Sequence, residues 1–143
     1  MKLLFPFLLL TVVTLTSPPF IAQTRERQSP GMETWVGKYP DKKFFNQPAI
    51  RIPLRRILSK SDYASITRDY NMIVPIKRVG DYLLTYSFIK YSNPEESFSL
   101  AFSLNDQAVY AVFSKAEQHR KFSTKNNQFD LPEEVLKELG LKE

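Results

Sequence analysis

The 143-residue chain has no cysteine, a single histidine and only four glycines. Without cysteine there is no disulfide, no thiolate nucleophile, no zinc–thiolate site and no lipidated N-terminal cysteine. His119 lies among Lys115, Arg120 and Lys121 with no nucleophile beside it in sequence. It reads as a solvated surface residue rather than a general base. So few glycines leave no phosphate-cradling loop, and neither HExxH nor Gly-x-Ser-x-Gly occurs. Glu95 and Glu96 are adjacent, and neighbours on a strand point to opposite faces, so they read as a polar loop end rather than an acid–base pair. The reading is therefore non-enzymatic, with no metal and no cofactor expected.

What is present is ordinary globular material. Hydrophobic residues make up 43% and charged ones 24%, which argues against a largely disordered chain. Aromatics at 13% give packing the means to hold a small domain without disulfides. The formal charge is +5; Lys2 is the only charged residue ahead of Thr24, so loss of the leader leaves +4. An excess this mild does not call for nucleic acid as a partner.

The first residues read as an export signal. Lys2 supplies a positive start, Leu3 to Leu15 is nearly unbroken apolar sequence, and Ser17-Pro18-Pro19 ends it. Cleavage after Ala22 divides the chain into a signal peptide at 1–22, a flexible linker at 23–34 and one domain at 35–143. The expected location is periplasmic or secreted, with no membrane insertion after cleavage. Retention of Leu3 to Ile21 as an uncleaved anchor is the alternative.

Along the domain, Trp35 to Pro40 reads as extended, with a turn at Pro40-Asp41. Pro48 suits the first turn of a helix, and Pro53 splits that region into pieces at about 47–51 and 53–59. Ser61 is placed to cap the next helix, with Tyr63, Ile66 and Tyr70 on one stripe. From Met72 the period becomes that of strands: Met72 to Ile76, Tyr82 to Ile89, Ser97 to Leu104, Ala108 to Ser114 and Arg120 to Ser123. In the third of these, Phe98, Leu100, Phe102 and Leu104 alternate with Ser97, Ser99, Ala101 and Ser103, which predicts one apolar and one small polar face. Asp130-Leu131-Pro132-Glu133 resembles a capping box opening a final helix that Gly140 closes. The expected fold is α+β: an antiparallel meander of about four to five strands with helices from both ends on one face. Its core is expected to centre on Phe98, Leu100, Phe102, Tyr82, Leu84 and Leu136.

Two stretches invite a partner. Arg51 and Arg55 share a helix face, with Arg56 beside them, and form a basic patch for an anion or acidic partner. Lys90-Tyr91-Ser92-Asn93-Pro94 is a polar loop between two strong strands, where binding residues concentrate.

The order Val36-Gly37-Lys38-Tyr39-Pro40, Asn46-Gln47-Pro48-Ala49, Pro53-Leu54-Arg55-Arg56-Ile57-Leu58, Asp62-Tyr63, Pro75-Ile76, Gly80-Asp81-Tyr82-Leu83 and Phe98-Ser99-Leu100-Ala101-Phe102 resembles the Ivy-type inhibitors of vertebrate lysozyme and their bacterial relatives. The likeness runs over most of 35–139. It implies an exported bacterial protein with an antiparallel sheet flanked by helices, acting on a protein partner such as a lysozyme or another glycosidase. Homo-oligomerisation stays open. The resemblance also implies an inhibitory loop closed by two cysteines, with a histidine between them that bonds the enzyme's catalytic carboxylates. This chain has Phe88 and Asn93 at the cysteine positions and Tyr91 at the histidine position, leaving Lys90 as the loop's cation. The expected contact is therefore Lys90, Tyr91, Ser92 and Asn93. The competing reading is a structural or interaction protein of the cell envelope that keeps the scaffold and docks through Arg51, Arg55 and Arg56. The +4 charge favours that second reading, because animal lysozymes are themselves basic and like charges slow encounter.

Overall fold

The alternating segment near Ser97 becomes the central strand β4, Glu96–Ser103, paired along both edges. The computed structural model describes residues 31–141 apart from Asn71, Asn93, Pro94 and Asn127; the expected signal segment, most of the linker and Asn93 of the loop lie outside the described residues. The other strands are β1 (Met72–Ile73), β2 (Lys77–Val79), β3 (Tyr82–Phe88), β5 (Val109–Lys115) and β6 (Gln118–Ser123). From β3 to β6 each strand pairs antiparallel with the next, while β1 and β2 share the outer edge of β3. The α+β class and the antiparallel meander are as expected.

The segment expected as one strand from Met72 to Ile76 is broken after Ile73. Pro75 has no N–H to give to a ladder. Ile76 instead donates to the Lys38 carbonyl and accepts from the Gly37 amide, both at 2.8 Å. These two bonds stitch residues 37–38 to the sheet edge.

Helices α1 (Lys42–Phe45), α2 (Pro48–Ile57) and α3 (Lys60–Arg68) cover one face. Their Phe44, Phe45, Ile50, Leu54 and Ile66 are buried together with Leu83, Phe98, Leu100, Phe102 and Phe113. The last helix, α4 (Glu133–Glu138), does not join them. Its Val135, with Leu131 and Leu139, packs with Leu84, Ala101 and Tyr110. Successive strand residues point to opposite faces, so the helices of the two chain ends lie on opposite sides of the sheet rather than on one. The expected core residues are accordingly divided, with Phe98, Leu100 and Phe102 on the first face and Tyr82, Leu84 and Leu136 on the second. Ala101, read as part of a polar face, is fully buried because a small side chain lets α4 approach.

The helix boundaries need three corrections. Pro53 sits inside a continuous α2; it removes one backbone bond, and burial of Ile50 and Leu54 on the sheet outweighs that loss. Helix α3 is capped by Ser59 rather than Ser61: the Ser59 hydroxyl accepts from the Asp62 amide at 3.1 Å and bonds the Asp62 carboxylate at 2.8 Å. At α4 the cap position is Pro132, which has no side-chain acceptor, so the Asp130 capping box does not form. Finally, Met32 is buried in the first core from a short 3₁₀ turn, Met32–Trp35, so the fold begins ahead of Trp35.

Candidate functional site

The loop singled out in the sequence is the β3–β4 hairpin tip. Its neck is closed by the Ile89 amide donating to the Glu96 carbonyl at 2.9 Å. Within that neck the half-buried Ser92 hydroxyl accepts from the Glu96 amide and donates to the Ile89 carbonyl, each at 2.9 Å. The chain thus reverses through one side chain that hydrogen-bonds both arms of the turn, without a covalent link. Phe88, at one expected cysteine position, lies in the ladder between Met72 and Ser97, with its ring 6.0 Å from that of Tyr86.

Tyr91 lies in the turn that follows β3. It is 89% exposed, the most exposed of the large apolar side chains among the described residues, and its φ of 63° is left-handed. A non-glycine residue there is strained by about 1–2 kcal/mol. The Lys90 ammonium lies 4.8 Å from the centre of the Tyr91 ring, so cation and ring project as one unit.

The β5–β6 turn flanks this tip. The Ala116 amide donates to the Glu95 carbonyl at 3.3 Å, and Lys115 pairs with Glu96 at 2.7 Å. Glu95 also accepts from the Tyr86 hydroxyl at 3.4 Å. Residues 89–96 and 115–117 carry two lysines and three glutamates, so the tip and its flanking turn have a slightly acidic balance. The molecule's basic excess is located elsewhere, so like-charge repulsion of a basic enzyme is not concentrated at this end.

The three arginines are on α2. Arg55 and Arg56 are exposed, Arg51 is half-buried, and the Arg55 guanidinium stacks 5.1 Å over the Tyr63 ring. The fold therefore gives two surfaces on different elements, a hairpin tip and a helix crest. His119 is exposed on β6 and shares a 2.8 Å hydrogen bond through Nδ1 with the Ser114 hydroxyl. Among the described residues no group of three or more His, Asp or Glu could hold a metal ion, and no helix is long and apolar enough to cross a membrane.

Two features escaped the sequence reading. One is the clamp by Ser92, whose only signal was a serine in a turn, a residue that hydrogen-bonds neighbouring backbone. The other is the Asp62–Arg120 pair at 2.8 Å, fifty-eight positions apart, which ties α3 to β6. The Arg120 guanidinium holds the Asp62 carboxyl below the usual carboxylate range, helped by the Ser59 hydroxyl, and Asp62 raises Arg120 in turn. No family model, curated protein or solved structure matches the chain.

Proposed function

We propose that this is an exported, non-enzymatic binding domain that presents the β3–β4 tip to a protein partner, and that the partner is a wall-degrading glycosidase whose cleft the tip enters. One observation carries the reading: a tyrosine almost wholly in water, in a strained conformation, at the end of a hairpin anchored in the central sheet. Strain of this kind persists where the surroundings over-determine it, and it concentrates at ligand contacts. Tyrosine is also among the side chains favoured as interface anchors.

The chemistry fits a pair of carboxylates. Most glycosidases flank the scissile bond with two carboxyl groups. Lys90 brings a full positive charge to them, and the Tyr91 hydroxyl adds one hydrogen-bond donor. The histidine of the resembling family would combine both roles in one ring; here they are divided between neighbouring side chains. Ser92 supports the tip from behind, since its hydroxyl is engaged with the loop's own backbone. The resemblance to Ivy-type inhibitors supplies the class of target, and the hairpin geometry supplies the means.

A turbidity assay on bacterial cell walls tests the proposal, using the protein from Gln23 onward against animal and bacteriophage lysozymes. Inhibition of either enzyme at micromolar protein is the expected result. Its absence for both, with native folding shown by circular dichroism, would retire the mechanism.

A further inference from the structure

Charge is unevenly placed on this protein. Residues 38–60 hold seven cations and one carboxylate, Asp41, which is turned onto the backbone amides of Lys43 and Phe44 as the α1 cap. Over 31–37 and 61–141 the balance reverses, with twelve carboxylates and nine cations. Ion pairing follows the same division. Among the described residues Arg68, Lys77, Arg78, Lys115, Arg120 and Lys125 have carboxylate partners, and none of the seven cations of 38–60 does.

Six of the seven cations lie on helices α1 to α3; Lys38 precedes them, in the segment stitched to the sheet edge. Helices α1 to α3 form a single layer whose apolar side is spent on the sheet, through Phe44, Phe45, Ile50, Leu54 and Ile66. Lys42, Lys43, Arg55, Arg56 and Lys60 are left on its solvent side, with Arg51 half-buried among them. Ile52 stands on the same crest, three and four positions before Arg55 and Arg56, and is 57% exposed. On one flank of α2 a depression of about 470 Å³ is lined by Met32, Pro48, Ala49, Ile52 and Pro53. On the other, one of about 570 Å³ is lined by Arg55, Leu58, Lys60 and Tyr63.

We propose that this helical layer is a peripheral docking surface for an anionic lipid bilayer, with phosphate headgroups meeting the cations and Ile52 entering the interfacial region. Three features select a bilayer. The cations are spread over three helices instead of converging on one cleft, which suits an extended sheet of phosphates better than a single ligand. Arginine binds phosphate bidentately, and the crest of α2 exposes Arg55 and Arg56. Ile52 gains by leaving water only where apolar material lies beneath the charges, which an acidic polypeptide or a nucleic acid does not offer uniformly. The surface lies on different elements from Lys90 and Tyr91, so it stands or falls independently of the hairpin tip. It would hold the protein at the membrane face while the tip remains free.

The test is sedimentation of the protein from Gln23 onward, which retains every buried core residue among the described ones, with phosphatidylcholine vesicles containing or lacking phosphatidylglycerol. Binding is expected only with the anionic lipid. It should vanish as ionic strength rises from about 0.01 M to about 1 M, where the screening length shrinks from about 30 Å to about 3 Å. The double variant Arg55→Gln and Arg56→Gln should weaken binding about tenfold or more, whereas Lys121→Gln with Lys137→Gln, an equal loss of charge, should change it little. Ile52→Ser should weaken binding to vesicles and leave binding to soluble polyglutamate unchanged. Circular dichroism verifies folding of each variant. Equal losses in the two double variants would overturn the proposal. So would tighter binding to polyglutamate than to vesicles with no effect of Ile52→Ser, which would assign the layer to an acidic polypeptide. Loss of vesicle binding in Tyr91→Ala would overturn it as well, by moving the contact to the hairpin tip.

Discussion

Replacing Ser92 by alanine removes the clamp of the hairpin tip and nothing else of size. The hydroxyl makes two bonds of 2.9 Å, one from the Glu96 amide and one to the Ile89 carbonyl. Each such bond contributes about 0.5–1.5 kcal/mol net. Ser92 is half-buried, so water can reach its partners in the variant and the lower half of that range applies. The backbone bonds from Ile89 to Glu96 and from Ser92 to Ile89 remain. The expected cost is about 1–2 kcal/mol, read as a lower urea midpoint at unchanged slope. The Glu96 amide should lose hydrogen-exchange protection more than amides elsewhere in β4, because the opening is local. Ser92→Thr keeps the hydroxyl and should recover most of both quantities. Stability within about 0.5 kcal/mol of the wild type, the usual size for an uninvolved surface change, with Glu96 still protected, would refute the clamp.

Other outcomes follow from the same structure. Phe102→Ala should cost about 3–5 kcal/mol and Leu139→Ala about 2–4 kcal/mol; a neutral Leu139→Ala would deny that the second sheet face is a core. Tyr91→Gly should raise stability by about 0.5–1 kcal/mol by relieving the left-handed backbone, and a loss of stability would mean the tyrosine packs on the fold. The Asp62 carboxyl is depressed in the folded state by Arg120, so the pair stabilises fully above the ordinary carboxylate pKa of about 3.9 and fades as pH falls through the lower folded value. Asp62→Asn should therefore be less stable than wild type at pH 7 and approach it in acid, as measured by urea unfolding across pH; a difference independent of pH would exclude the ion pair as its source.

Much of the architecture is written in local patterns. The alternation over Ser97 to Leu104 and the turns at Gly80 and Asn105 suffice for the meander, because period two and turn residues act over a few positions. The second core was hidden by the same rule that revealed the first. Ser97, Ser99, Ala101 and Ser103 read as a small polar face, yet all are buried, since small residues also mark where a helix or large neighbours come close. Pro53 illustrates tertiary packing overriding a local preference, and Pro75 shows the reverse, ending a strand that apolar composition alone would continue. At the tip, Lys90 and Tyr91 were legible from their place between two strands. The Ser92 clamp and the flanking Ala116–Glu95 bond were not, because both depend on how two turns meet at one end of the sheet.

The most direct measurement is the inhibition constant of wild type, Lys90→Ala and Tyr91→Ala against the most strongly inhibited lysozyme. Entry of the tip into the cleft predicts that Lys90→Ala weakens inhibition by about 1–3 kcal/mol. Tyr91→Ala should cost about 2 kcal/mol or more, as for a central interface anchor, with Tyr91→Phe in between and Arg56→Gln unchanged. Undiminished inhibition by Tyr91→Ala, in a protein that remains folded, would contradict the account.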